Sequence, residues 1–143
     1  MGIIMKNLIK YYYDLEIDSI VYSFGEYKFK YKSFDYCLVS IEREINEIND
    51  IYIHDLVFDY IARIAKATRE DELLKAGLSP RGTVALAGMS RALAWMDKRN
   101  YVIPQDVSNA FEPVALHRIT LSTKAKVGNV KKESITKKIV AQV

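Results

Sequence analysis

Residues 77–86 read Gly77-Leu78-Ser79-Pro80-Arg81-Gly82-Thr83-Val84-Ala85-Leu86. Serine caps helix N-termini and proline suits the first helical position, so a helix is expected from Pro80 to about Arg99. Its apolar stripe is Gly82, Leu86, Met89, Leu93 and Met96, beside a small-residue side of Ala85, Gly88, Ala92 and Trp95. Gly88 in mid-helix costs about 1 kcal/mol relative to alanine, which points to a close helix crossing there. Asn100 is the expected C-terminal cap. Arg81 is the discordant residue, a cation where the helix dipole favours an anion. Taken alone it is either a phosphate contact, with dipole, free N–H groups and guanidinium converging on one anion, or a surface arginine without a partner.

Working outward, His54 to Glu70 (HDLVFDYIARIAKATRE) places Leu56, Val57, Tyr60, Ile61, Ile64, Ala65 and Thr68 on one stripe and turns Asp59, Arg63 and Lys66 elsewhere. That spacing is helical. A short helix through Ile41, Ile45 and Ile48 precedes it and should end at Asn49-Asp50, while Asp71 to Gly77 reads as a polar connection. Beyond the central helix, Tyr101 to Ile103 looks extended. Pro104 then opens a helix whose apolar face is Val107, Ala110, Phe111, Val114 and Ala115, with Pro113 as a potential interruption. Ile119 to Leu121 is a second extended piece, expected to pair with Tyr101 to Ile103. The tail carries Ile135, Ile139 and Val140 at helical spacing amid Lys131, Lys132, Lys137 and Lys138.

The composition changes near residue 40. In the segment before it, Tyr27, Phe29 and Tyr31 alternate with Lys28, Lys30 and Lys32. Alternation of period two predicts a half-buried strand, which Gly25-Glu26 could join to Ile20–Phe24 as a hairpin. The aromatics suit a core-facing side, and the alternative is a platform for stacking bases. Lysines of the tail, including Lys124 and Lys126, read either as a solvated face or as contacts to an acidic partner.

By length the 143 residues are most simply one domain with enough apolar content for a core, and 21 Lys and Arg against 18 Asp and Glu leave a net charge of +3 that demands no polyanionic partner;. Cys37 is the one cysteine, so no internal disulfide forms, and it reads as a small core residue rather than a nucleophile;. His54 and His117 are expected as a capping residue and a partly buried packing residue, not as zinc ligands. Met1 to Leu15 is too short and too interrupted by charge to span a membrane, and no export signal is read there, so a cytoplasmic location is expected. No phosphate loop, dinucleotide fingerprint, H-E-x-x-H or G-x-S-x-G pattern is present;. A self-contained enzyme is not expected.

From about Ile51 onward the chain resembles the C-terminal lid domain of the MoxR family of AAA+ ATPases. The matching segments are DYIARIAKATR (Asp59 to Arg69), GLSPRG (Gly77 to Gly82), RALAWMDKRNYVIPQDV (Arg91 to Val107) and PVALHRITL (Pro113 to Leu121). The resemblance implies a mainly α fold for 41–143: a small helical bundle of AAA+ lid type with a short two-stranded β element. Residues 1–40 form an unmatched aromatic-rich segment with a candidate β-hairpin. It further implies that Arg81 is a sensor 2-like residue reaching the γ-phosphate of ATP, with Arg69 and Arg91 in structural or interface roles. ATP and magnesium belong to the complete ATPase, and none is expected on this chain alone, because residues 1–40 match nothing of the ATPase core. The implied function is ATP-dependent, chaperone-like remodelling or maturation of partner proteins. The implied partners are a AAA+ core domain or neighbouring subunits and a client of unknown identity. The alternative is a non-enzymatic helical module binding a protein or single-stranded nucleic acid, although nucleic acid is not the expected partner.

Overall fold

The computed structural model describes residues 10–14, 19–24, 27–31 and 43–143. The chain divides into two compact units, Met1–Glu47 and Ile48–Val143. In the first, strands β1 (Lys10–Asp14), β2 (Ser19–Phe24) and β3 (Tyr27–Tyr31) form an antiparallel sheet in the order β1-β2-β3. Tyr12 pairs with Val21 and Tyr22 with Phe29. The expected pairing of 20–24 with 27–31 is present, and β1 adds a strand to it. Gly25-Glu26 and Cys37 lie outside the described residues. Residues 43–49 are helical, ending at Asn49 as expected.

The second unit begins its helices with α1 (Asp55–Glu70). His54 caps it, its Nδ1 accepting the Leu56 N–H at 3.1 Å. Asp55 in the first turn and Arg69 in the last both complement the helix dipole, an anion at its positive end and a cation at its negative end;. Val57, Ile61, Ile64, Ala65 and Thr68 are buried, as their spacing requires. Leu56 is instead 74% exposed, one position off the buried stripe in the first turn. Tyr60 is half-buried, its hydroxyl 3.1 Å from Ser108 Oγ.

The strand pairing differs from the sequence expectation. The stretch read as a polar connection contains β4 (Leu74–Ala76), and this pairs antiparallel with β5 (Thr120–Leu121). The Ser122 N–H extends the pairing to the Leu73 carbonyl at 2.8 Å. Leu73, Leu74 and Leu121 bring apolar surface to the core at this place, which a two-residue strand cannot advertise by alternation. Tyr101, expected opposite Ile119–Leu121, forms a parallel bridge with Tyr52. The Tyr52 N–H donates to the Asn100 carbonyl (3.0 Å) and the Val102 N–H to the Tyr52 carbonyl (2.9 Å).

Helix α2 (Pro80–Met96) starts where expected but stops before Arg99, with Asp97 rather than Asn100 as its C-cap. Lys98 takes a positive φ of 59°. Its N–H donates to the Trp95 carbonyl and the Arg99 N–H to the Ala94 carbonyl, at 2.8 and 2.9 Å. This is the double closure of a Schellman turn, with lysine in the place glycine usually fills. The buried residues of α2 are Gly82, Leu86, Ser90 and Ala94. Met89 and Leu93 are half-buried beside them, and Gly88, the expected crossing point, is half-buried outside that set. Ser90 satisfies its hydroxyl on the Leu86 carbonyl at 2.8 Å.

The most extensive helix contact is between α2 and α3 (Pro104–Ala115). Val107, Ala110, Phe111, Val114 and Ala115 are all buried, as their spacing predicts. Pro113 sits close enough to the C-terminus that the helix runs two residues past it;. His117 is exposed, not the packing residue expected, because it falls just after the last helical turn. Short helix α4 (Thr123–Val127) and α5 (Lys132–Gln142) complete the unit. Ile135 and Ile139 of α5 enter a core whose largest fully buried members include Phe111, Ile64, Leu78, Leu86 and Ile119. This unit is mainly helical with a short two-stranded element, as the resemblance implies.

Candidate functional site

The start of α2 is built from three chain segments. Ser79 has extended backbone and caps the helix, its Oγ accepting the Gly82 N–H at 3.2 Å. The Thr83 N–H reaches the Ser79 carbonyl at 2.9 Å. Pro80 has no N–H to satisfy. One backbone donor of the first turn, the Arg81 N–H, is therefore left without a partner among the described residues. The Arg81 side chain is exposed and likewise makes no hydrogen bond or ion pair there. Guanidinium and amide thus stand at the positive end of the dipole, an arrangement that binds a phosphate oxygen well.

The loop leading to this point is held from behind. Thr68 is fully buried, and its hydroxyl donates to the Ala65 carbonyl (2.7 Å) while accepting the Leu78 N–H (2.8 Å). Arg69 donates from Nε to the Leu78 carbonyl at 2.9 Å, and from Nη2 to Thr83 Oγ1 at 3.4 Å. A Cβ on Gly77 would lie 2.4 Å from the Thr68 carbonyl oxygen, so only glycine allows the strand to run this close to α1. Gly82 is similarly tight: a Cβ there would lie 2.6 Å from Leu78 Cδ1 and 3.4 Å from Arg118 Cδ. The Arg118 side chain therefore runs beside the first turn of α2, and its Nε is buried without a hydrogen-bond partner among the described residues. Arg91 points elsewhere, donating from Nε to the Ile51 carbonyl at 3.0 Å, a structural tie.

Neither Thr68, Gly77 nor Arg118 was singled out for its role at this site by the sequence. Gly77 beside the Ser79-Pro80 start was the available signal. Thr68 reads as one more stripe residue, and Arg118 comes from a segment 37 positions from Arg81.

Three of the six tail lysines are engaged within the domain. Lys132 Nζ donates to the Leu116 carbonyl (2.8 Å), Lys124 pairs with Glu72 (3.3 Å) and Lys138 with Asp71 (2.9 Å). The last two pairs close a groove of about 490 Å³ lined also by Glu70, Leu73 and Gln142. Burial alone would push the Asp71 carboxyl up, but the hydrogen bonds from Lys138 and the Leu73 N–H, with the Lys138 charge, hold it below the usual carboxylate range. Among the described residues no cluster of His, Cys, Asp and Glu could hold a metal ion, and no helix is long and apolar enough to cross a membrane.

Comparison with known proteins agrees with this architecture. The AAA lid domain family matches residues 66–139. The chain is 32% identical over 97 residues to the uncharacterized protein YeaC of Bacillus subtilis, covering 68% of this chain and 30% of that protein. It is 31% identical over 101 residues to the chaperone MoxR1 of Mycobacterium tuberculosis, covering 64% and 27%. Protein MoxR of Paracoccus denitrificans shares 48% identity over 50 residues, 35% of this chain and 15% of that protein. A crystal structure from Cytophaga hutchinsonii, provisionally assigned as an ATPase, superposes with a TM-score of 0.65 at 28% identity, over 68% of this chain and 32% of that one. The chain belongs to the AAA lid domain family, and its helical part is the lid region of a MoxR-family AAA+ ATPase. It spans about 30% or less of the length of the curated relatives it matches.

Proposed function

We propose that the helical unit serves as the nucleotide-facing lid of a MoxR-like ATPase, acting in the cytoplasm, and that Arg81 is its sensor 2-like contact to the γ-phosphate of ATP. The observation that carries this reading is the start of α2, where the Arg81 guanidinium and N–H have no hydrogen-bond or ion-pair partner among the described residues and a helix dipole adds to them. Phosphoryl transfer is catalysed mostly by positioning and by cations that meet developing charge. Arg81 fits such a role as one component. It cannot replace a phosphate loop or magnesium ligands, so ATP and its metal are held by a AAA+ core domain. The lid reports the bound nucleotide to neighbouring subunits. Hydrolysis then drives chaperone-like remodelling or maturation of a client protein.

The test has two parts. Isothermal titration of the chain alone with ATP and magnesium should show only weak binding, because Arg81 is one phosphate contact without a phosphate loop or magnesium ligands. Substituted for the lid of the Mycobacterium tuberculosis MoxR1, residues 51–143 should support ATP turnover, and R81A in that chimera should lower it by about a hundredfold, the scale of losing one preorganised donor. Equal turnover with and without Arg81 refutes the assignment.

A further inference from the structure

We propose that Thr68 and Arg69 are positioning residues for Arg81, acting together through the backbone of Leu78. The inference rests on the reading of Arg81 as a phosphate contact and adds how its position is set. Leu78 is the last residue before the helix cap, so its peptide groups fix the direction in which α2 sets out. Both are held by α1: its N–H by the Thr68 hydroxyl at 2.8 Å, its carbonyl by Arg69 Nε at 2.9 Å. The Leu78 side chain is fully buried and seats against Gly82, where a Cβ would lie 2.6 Å from Leu78 Cδ1. Arg69 also reaches over the cap, with Nη2 3.4 Å from Thr83 Oγ1, whose own hydroxyl donates to the Ser79 carbonyl at 3.2 Å. The last turn of α1 thereby touches residues 78 and 83 on both sides of Arg81, and Arg81 itself makes no hydrogen bond or ion pair among the described residues. Arg81 can stay uncommitted to any protein group and still occupy a defined place, because its neighbours carry the restraint. A planar guanidinium suits this task, since one side chain serves two acceptors at once and an ammonium on a flexible stem does not reproduce the fork.

The test uses the full chain, 15N-labelled, with inorganic tripolyphosphate at low ionic strength as the probe. The Arg81 N–H and Nε–Hε resonances should shift on titration, and R81Q should remove the response. T68V deletes a buried neutral hydroxyl remote from the probe, and R69K keeps the charge but not the fork. Each should weaken the response at Arg81 by about fivefold to tenfold, the order of one lost hydrogen bond. T68S, which keeps the hydroxyl, should restore it. Backbone resonances of Val107 and Phe111 should stay in place throughout, separating loss of position from loss of fold. Wild-type affinity in both T68V and R69K overturns the positioning role while leaving Arg81 a phosphate contact. An Arg81 that does not respond in the wild-type chain overturns both. Should T68V lose its fold, R69K decides alone.

Discussion

Arg99 grips Asp106 through two parallel hydrogen bonds, Nη1 to Oδ2 at 2.9 Å and Nη2 to Oδ1 at 2.7 Å. The same carboxylate accepts the Ile103 N–H at 2.9 Å, so one buried acid both closes the first turn of α3 and anchors the end of α2. Asp97 and the Tyr101 carbonyl share the guanidinium. D106A would take the bidentate partner from a guanidinium that is only 21% exposed, leaving it Asp97 and the Tyr101 carbonyl, and uncap α3. A loss of about 3 kcal/mol is expected, measured by urea unfolding, at the lower edge for a broken buried pair because Arg99 keeps some solvent. A loss under 1 kcal/mol would show the pair to be ornamental.

Lys98 occupies the left-handed position of a Schellman turn at φ 59°, where a side chain is unfavourable;. K98G should therefore stabilise the domain by about 0.5–1 kcal/mol. The same exchange at Asn129, φ 50° after α4, should gain less, since asparagine tolerates this region. The two thermal shifts, compared side by side, check the ranking.

At Arg81 stability and the proposed activity should part company. An exposed cation in the first turn opposes the helix dipole, and R81E reverses that term. The variant should be more stable by about 0.3–1 kcal/mol at low salt, with the gain shrinking as salt is added, yet it should lose the tripolyphosphate response. A variant both less stable and unresponsive would mean that Arg81 serves the fold.

The Asp71–Lys138 pair gives a pH dependence of defined sign. The folded carboxyl lies below its ordinary value of 3.8. The contribution is therefore present above that value and disappears as pH falls through the lowered folded one. The stability difference between wild type and D71N should be constant near neutrality and shrink below about pH 4. A difference that grows on acidification would reverse the assignment.

How much of this was legible in the sequence depends on whether packing follows a period. Ile61, Ile64 and Ala65 of α1, and Val107, Phe111 and Val114 of α3, announce their burial because each helix sets one apolar stripe against the core. Helix α2 hides half of its buried face, since Ser90 and Ala94 are small and weakly apolar, while larger Met89 and Leu93 lie at its margin. The β4–β5 pairing was invisible, because strands of three and two residues are too short to show alternation and their register comes from tertiary packing of Leu74 and Leu121. For the site, Ser79, Pro80 and Arg81 stated their geometry locally. The clasp by Thr68 and Arg69 did not, because it joins side chains to the backbone of Leu78, whose identity says nothing about its peptide partners.

The Tyr52–Tyr101 bridge closes one circuit of chain, and the β4–β5 pairing, extended from Leu73 to Ser122, closes another. Neither circuit contains the other: each begins inside or before its counterpart and ends on the opposite side, so the two interlace. Helix α2 lies within both. When either closure opens, the other still encloses it. Amide hydrogens at Val102 and Ser122 should then exchange together with those of the core, as parts of one cooperative body.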